Sequence, residues 1–242
     1  PLWVDFMNRK IICALDTGEL DEALRTVKRL AGHVGAFKIG HGLVLPNGLE
    51  VIKRLQDVGA DRIFLDLKFH DIPNTVALGV REAARAGVWM MTLHVSGGPA
   101  MMTAAVEEAR SFGEMDAPLL MGVSVLSSID QHVLSDHLGV GRSIQEQMVS
   151  LSLLAIECGL DGVICPAPEL KAVRNVVHHN GIIVTPGIRL PQDDVHDQVR
   201  VGTPQQALAD GADYLVIGRP LMQCENPEAT LAAFSERAGS AH

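Results

Sequence analysis

The segment Asp66–Thr75, with the sequence DLKFHDIPNT, holds the residues of clearest chemical potential. Asp66 and Lys68 are two positions apart, and on an extended strand such residues point to the same side. A partly buried lysine is costly unless carboxylates accompany it, and Asp66, Asp71 and Asp16 are the candidates. An ammonium group held charged in this way can stabilise a developing carbanion and donate a proton to it. The competing interpretation of the Asp66–Lys68 pair is a structural salt bridge.

A second group of residues has the chemistry of a phosphate site. Gly218 and Arg219 directly follow the last predicted strand and precede a helix that we expect to begin near Asn226. Backbone N–H groups of a glycine turn can approach an anion closely, and arginine adds charge and a planar set of donors. Arg189, in the preceding connection, is placed to contact the same anion from the other side.

The elements that must position these residues form an eightfold alternation of strands and helices. Helical spacing of apolar residues predicts helices at Leu20–Leu30, Thr75–Ala86 and Ile144–Glu157. Short runs rich in β-branched residues predict eight strands, at Ile11–Leu15, Ala36–Ile39, Arg62–Leu67, Trp89–Val95, Leu119–Leu126, Gly162–Cys165, Ile182–Thr185 and Tyr214–Ile217. The pattern predicts an α/β fold, a single-domain (β/α)8 TIM barrel over residues 1–242. An open doubly wound sheet is the second possibility, but its glycine-rich dinucleotide loop is missing after the first strand.

The carboxyl ends of the strands in such a barrel carry the chemistry. The polar residues found there are Asp16, Lys38, Asp66, Lys68, His94, Ser124 or Ser127, Thr185 and Arg219. The connections Ser127–Arg142 and Ile188–Gly202 are the longest on this side, and we expect them to act as lids over a ligand. Polar groups gathered at one rim indicate a binding site more strongly than any one of them alone.

Composition restricts the class of partner. The 242 residues suit one large domain, and only 4% are aromatic, so aliphatic side chains must fill the core. The net charge is −9 and no cluster of Lys and Arg occurs, which argues against nucleic acid. No apolar run is long enough to span a membrane, and no secretion signal is visible. The four scattered cysteines are expected to be free thiols, and the location to be cytoplasmic.

The sequence resembles the bacterial orotidine 5′-phosphate decarboxylase family over essentially its whole length. Asp66–Thr75 matches the family signature D-x-K-x-x-D-I-P-x-T without a departure. Two further stretches support the resemblance by their order and spacing, namely Thr185–Arg189 with Asp197 and Gln198, and Val216–Pro220. The stretch Leu190–His196 resembles the family only weakly, so the phosphate contacts of that loop are not assigned to particular side chains.

The resemblance implies a role for each site residue. Lys38, Asp66, Lys68 and Asp71 match the family's alternating charged network, with Lys68 as the proton donor. A homodimer is implied, in which Asp71, Ile72 and Thr75 come from the neighbouring subunit. The remaining residues match contacts to the nucleotide substrate: Asp16 and Lys38 to the ribose hydroxyls, Ser127 to the pyrimidine, and Arg189, Gln198, Gly218 and Arg219 to the phosphate.

The implied reaction is the decarboxylation of orotidine 5′-monophosphate in pyrimidine biosynthesis, with neither cofactor nor metal. The carbanion left at C6 has no adjacent carbonyl to delocalise it, and no motif in the chain offers a cofactor as electron sink. A metal-dependent sugar-phosphate enzyme on the same barrel is the alternative, with His70, His94, Asp66 and Asp71 as ligands, although their spacing matches no known pattern. A non-enzymatic barrel is disfavoured because the charged rim is complete.

Overall fold

The computed structural model describes residues 7–188 and 203–239, with side chains placed as far as Phe234. Eight parallel strands close into a barrel in sequence order, β1 pairing with both β2 and β8. The predicted (β/α)8 fold is therefore confirmed, and the closing β1–β8 pair excludes an open sheet. The strands are β1 Ile11–Ala14, β2 Ala36–Ile39, β3 Ile63–Phe69, β4 Met90–His94, β5 Leu119–Val123, β6 Gly162–Ile164, β7 Ile182–Thr185 and β8 Tyr214–Ile217.

Helices connect the strands and cover the outside of the barrel. They are α1 Leu20–Leu30, α2 His41–Asn47, α3 Glu50–Gln56, α4 Pro73–Arg85, α5 Pro99–Arg110, α6 Ile144–Glu157, α7 Leu170–Val177, α8 Pro204–Ala209, α9 Arg219–Met222 and α10 Pro227–Gly239. The predicted bounds of α1 and α6 are correct. Helix α4 begins at Pro73 rather than Thr75, because the fixed φ of proline suits the first helical position.

Apolar side chains pack in two layers. Inside the barrel, Ile12, Phe64, Met90 and Met121 form a small core, while a larger core lies between the strands and the helices. The residues of β1 alternate between these layers, with Ile12 facing inward and Ile11 outward, as a strand buried on both faces requires. The inner core fills the lower part of the barrel and leaves its mouth open to ligand.

A bulge in β3 shapes the site. Leu65 pairs with Met91 and Phe69 pairs with Leu93, so four steps along β3 match only two steps along β4. Lys68 lies within this bulge at φ +52°, a left-handed conformation that is unusual for a residue with a side chain. The prediction that Asp66 and Lys68 lie on a regular extended strand is therefore wrong, although the bulge still brings both side chains to the same side.

Two connections on the ligand side were predicted to be lids. The one over Ser127–Arg142 contains a π-helical turn at Val133–His137, and it ends at a capping box in which Ser143 and Glu146 begin α6. The second predicted lid, residues 188–202, lies outside the described residues apart from Ile188. No helix in the part of the chain that the structure describes is long and apolar enough to cross a membrane.

Candidate active site

A cavity of about 570 Å³ opens at the carboxyl ends of the strands. Its floor is apolar and comes from inward-facing strand residues, namely Ala14, Phe64, Val123, Ile164, Val184 and Val216. Its rim is polar, and the side chains of Asp16, Lys38, Asp66, Lys68, Ser127 and Arg219 line it. An apolar base beneath convergent charged groups is the usual composition of a small-molecule site. These six predicted rim residues thus meet in one cavity, whereas the predicted His94 and Thr185 are absent from its lining.

A chain of alternating charges crosses the rim. Lys38 Nζ lies 3.4 Å from Asp16 Oδ1 and 3.5 Å from Asp66 Oδ2, and Lys68 Nζ lies 2.9 Å from Asp66 Oδ1. The side chains of Asp66 and Lys38 are only 14% and 16% exposed, whereas that of Asp16 is 61% exposed. Two ammonium groups therefore share one nearly buried carboxylate, which places concentrated positive charge beside the cavity.

The carboxyl of Asp66 is held in its ionised form. Burial is the largest single effect and raises the pKa of such a group, but the charges of Lys38 and Lys68 together with hydrogen bonds from Lys68 and Thr92 outweigh it. The net result is a pKa for Asp66 below its usual range. Asp66 therefore contributes a full negative charge at neutral pH, between the ammonium groups of Lys38 and Lys68.

Thr92 is a contact of this network that the sequence did not predict. Its hydroxyl is fully buried, donates to Asp66 Oδ1 at 2.9 Å and accepts from the backbone N–H of Lys68 at 2.9 Å. The available signal was position, since Thr92 lies between Met90 and His94 on β4 and shares their inward face. A polar residue facing the inside of an apolar barrel is unusual enough to have marked it.

Asp71, Ile72 and Thr75 lie outside the cavity formed by their own chain. All three are exposed, and Ile72 is 67% exposed despite its apolar side chain. Asp71 Oδ1 accepts a hydrogen bond from the backbone N–H of Ile72 at 2.7 Å, which fixes the turn that enters α4. Within one described chain, Asp71 is therefore not brought into contact with Lys68.

The same cavity is also lined by two of the predicted phosphate residues. Gly218 and Arg219 line it beside Pro186, Gly187 and Ile188. A Cβ at Gly218 would lie 3.0 Å from Asp16 Oδ2, so a glycine leaves room for the Asp16 carboxylate at this rim. The helix expected near Asn226 is present as α10, which begins at Pro227, and the short helix α9, which begins at Arg219 itself, is an element that the sequence did not predict.

The remaining predicted site residues differ in whether the structure places them at the cavity. Ser127 lines the cavity, whereas Ser124 is buried just beyond β5 and is absent from the lining. Arg189 and Gln198 lie outside the described residues.

His70 and His94 are the two histidines of the metal-dependent alternative, and they lie close together. His94 is half-buried and its ring lies 5.3 Å from that of His70, centroid to centroid. Burial, the neighbouring His70 and Lys68 lower the pKa of His94, against the opposing effect of Asp66. Among the residues described by the structure, no group of three or more His, Cys, Asp or Glu side chains is arranged to hold a metal ion. The arrangement thus gives no support to the metal-dependent alternative.

Comparison with known proteins gives a consistent result. The profile of the orotidine 5′-phosphate decarboxylase / HUMPS family matches residues 9–234. A protein of Pseudoalteromonas translucida named orotidine 5′-phosphate decarboxylase is 47% identical over 225 residues, which cover 93% of this chain and 95% of that protein. A Legionella pneumophila protein of the same name is 45% identical over 228 residues, covering 94% of this chain and 98% of its own length.

A solved structure is similar over the whole barrel. The crystal structure of orotidine 5′-phosphate decarboxylase from Lactobacillus acidophilus superposes with a TM-score of 0.82 at 32% identity, covering 95% of this chain and 99% of that one. An uncharacterised conserved protein from Geobacillus kaustophilus gives the same TM-score at 33% identity and covers 95% of this chain. Sequence similarity and structural similarity therefore both lead to proteins named orotidine 5′-phosphate decarboxylase.

Proposed function

Since this chain belongs to the orotidine 5′-phosphate decarboxylase / HUMPS family, we propose that it converts orotidine 5′-monophosphate to uridine 5′-monophosphate and CO2 in de novo pyrimidine biosynthesis. The observation that carries the proposal is the Lys38–Asp66–Lys68 network at the cavity rim. Family membership supports the reaction class, and the network supplies groups that suit its chemistry.

The proposed mechanism is electrostatic. When the bond from C6 to the carboxylate breaks, CO2 departs and the electron pair remains on C6. The Lys68 ammonium group stabilises this carbanion and then transfers a proton to C6, leaving a neutral amine that is reprotonated from solvent. Stabilisation by a preformed charge is effective here because the group is fixed before the reaction begins.

The neighbouring carboxylates keep Lys68 ready for this step. Asp66 contacts Lys68 at 2.9 Å, and Asp71 of a second subunit would complete the network on its open side. Opposite charges favour the ammonium form, which is the form that can both stabilise the carbanion and donate a proton. The proposal needs no cofactor, because the charge that replaces an electron sink is part of the chain.

The nucleotide would lie across the cavity with its base near Lys68 and its phosphate near Arg219. Asp16, Lys38 and Ser127 line the same cavity, and we assign the first two to the ribose hydroxyls and Ser127 to the pyrimidine. Gly218 and Arg219 would contact the phosphate, with Arg189 and Gln198 as proposed partners from the loop after β7. Phosphate binding energy then fixes the reacting ring relative to Lys68.

We also propose a homodimer in which Asp71, Ile72 and Thr75 complete the partner's active site. The exposure of Ile72 supports this arrangement, since an apolar side chain exposed beside a polar rim suits a protein interface. A cytoplasmic location is proposed with it, because no disulfide joins any of the four cysteines, which are all among the described residues.

An absorbance assay with orotidine 5′-monophosphate, run with and without a chelator, tests the proposed function. We expect the substrate absorbance to be lost at the same rate in both samples. Complete absence of turnover by the purified protein would refute the proposed activity. Turnover that stops on chelation would instead support a metal-dependent enzyme.

A further inference from the structure

Thr92 lies opposite the bulge that carries Lys68, and this position determines which groups its hydroxyl can contact. Between the pairs Leu65–Met91 and Phe69–Leu93, the three residues 66–68 of β3 face Thr92 alone on β4. Regular backbone pairing is interrupted at this point. The Lys68 N–H instead donates to the Thr92 hydroxyl at 2.9 Å. The side chain of Thr92 thus replaces a hydrogen bond that a regular sheet would supply from its backbone.

The same hydroxyl also holds the carboxylate that contacts Lys68. Thr92 Oγ1 donates to Asp66 Oδ1 at 2.9 Å, and Lys68 Nζ donates to that same oxygen at 2.9 Å. A hydroxyl has one proton and two lone pairs, so accepting from the Lys68 N–H leaves its own proton for Asp66. A closed ring of hydrogen bonds therefore runs from the Lys68 backbone N–H through the Thr92 hydroxyl and the Asp66 carboxylate to the Lys68 ammonium group.

We propose that Thr92 is a positioning residue for the decarboxylation, holding the Lys68 backbone in its left-handed conformation and the Asp66 carboxylate against the Lys68 ammonium group. The inference rests on the proposed function, since it concerns the geometry of the proposed proton donor. Lys68 at φ +52° occupies a sparsely populated conformation that persists only where its surroundings enforce it. Thr92 is 0% exposed, so water does not replace its hydroxyl.

The test compares three substitutions at two buried threonines. Thr92→Val keeps the shape and removes both hydrogen bonds, whereas Thr92→Ser keeps the hydroxyl. Thr26→Val is the matched control, because Thr26 is also buried, at 3% exposed, but lies on α1 outside the cavity lining. We expect Thr92→Val to lower kcat on the order of 100-fold, as a displacement of about 1 Å does. KM should change little, and Thr92→Ser and Thr26→Val should retain most of the wild-type kcat.

The pH profile distinguishes positioning from a general loss of stability. The ionisable groups around Asp66 are Lys38 from β2, Lys68 from β3 and His94 from β4, with Asp16 beyond Lys38. The Thr92 hydrogen bond favours ionised Asp66, so its removal raises the pKa of that carboxyl. Activity that requires ionised Asp66 is lost as the pH falls through this pKa. The acid limb of kcat should therefore move to higher pH in Thr92→Val and stay in place in Thr26→Val.

Each outcome bears on a separate claim. A wild-type kcat and acid limb in Thr92→Val, or an equal loss in Thr92→Ser, would overturn the role of Thr92 while leaving the proposed function intact. Absence of turnover by the wild-type protein, measured in parallel, would refute the proposed function instead. If Thr92→Val does not fold, amide exchange in the wild-type protein decides: the Lys68 N–H should be protected, and exchange at the rate of an open loop would overturn the proposal.

Discussion

The carboxylate of Asp66 lies between two ammonium groups, and this arrangement governs the charge of the whole rim. Its two oxygens face different partners, Oδ2 toward Lys38 and Oδ1 toward Lys68 and Thr92. A buried carboxylate with fewer partners would be neutralised by its desolvation. Because Asp66 stays ionised, its charge balances that of the Lys68 ammonium group, which is the group that the proposed proton transfer requires.

Arg219 provides a prediction about substrate binding at the residue scale. Arg219→Ala should lower kcat/KM on the order of 100-fold or more, because truncation leaves the substrate phosphate without its charged partner. The circular dichroism spectrum and Tm should remain close to wild type. The measurement is steady-state kinetics with orotidine 5′-monophosphate.

Arg25→Ala is the matched control for this variant. Arg25 is exposed on α1 and is absent from the cavity lining, so its loss changes the net charge equally without touching the site. An unchanged kcat/KM in Arg219→Ala would remove this residue from the phosphate site.

Some site residues were visible in the sequence and others were not, for physical reasons. Asp16, Lys38, Asp66 and Lys68 could be found because a charged residue at the carboxyl end of an apolar barrel strand points to the rim where ligands bind. Thr92 was missed because a threonine in a strand is ordinary, and its importance depends on a bulge in the neighbouring strand. The alternation along β4 indicates that Thr92 faces inward, but the bulge that it contacts depends on long-range register, which the local sequence does not give.

At the scale of elements, the bulge in β3 is the feature that places two charged side chains of one strand at the cavity. Asp66 and Lys68 both reach the cavity, while Leu67 between them packs against the outer core. The bulge allows this although Lys68 has left the extended conformation. Bulges commonly redirect side chains next to active sites, and this one directs the Lys68 ammonium group toward Asp66.

Element bounds were predicted well where local chemistry is decisive. Helix α6 begins where Ser143 and Glu146 form a capping box, and the apolar pattern alone gave its bounds correctly. Strand β5 was predicted to reach Leu126 but ends at Val123. The apolar run continues past the sheet because Val125 and Leu126 line the cavity, so apolar character there reflects the site rather than strand pairing.

Close approach of strands β6 and β7 gives a prediction about stability. A Cβ at Gly162 would lie 2.0 Å from the backbone oxygen of Ile182, so the strands would have to separate. Gly162→Ala should therefore reduce the free energy of unfolding by about 1–3 kcal/mol or more. Urea denaturation measures the change, and failure to fold is the extreme of the same direction.

Gly141→Ala, in the connection that precedes α6, is the control for Gly162→Ala. Among the residues that the structure describes, none beyond its two chain neighbours has a heavy atom within 4 Å of a Cβ built at Gly141, so alanine should be accommodated without loss of stability. Equal unfolding free energies for Gly162→Ala and wild type would contradict the close approach of the two strands.

At the scale of the whole molecule, the net charge of −9 opposes the approach of an anionic nucleotide. The attraction for an anionic ligand must therefore come from positive charges close to the site, and Lys38, Lys68 and Arg219 line a single cavity. The surface carrying Asp71 and Ile72 is exposed in one chain, which supports the proposal that two chains are needed for a complete site.

A subunit-mixing experiment tests the shared site. Lys68→Ala and Asp71→Ala should each be inactive alone, while a mixed dimer has one site with both lesions and one site with neither. Equal mixing should therefore restore activity to about a quarter of all sites. Exchange of subunits is verified with one variant carrying an affinity tag. Free exchange without any recovered activity would show that Asp71 does not act across an interface.

Release of CO2 by Lys68→Ala is the most direct test of the central claim, that the Lys68 ammonium group stabilises and protonates the carbanion. Substrate labelled in the carboxylate reports release, and titration with uridine 5′-monophosphate reports binding. Lys53→Ala, which removes an exposed lysine on α3, is the control. We predict no CO2 above background from Lys68→Ala, with nucleotide binding largely preserved and Lys53→Ala fully active. Appreciable turnover by a clean preparation of Lys68→Ala would contradict the proposed mechanism.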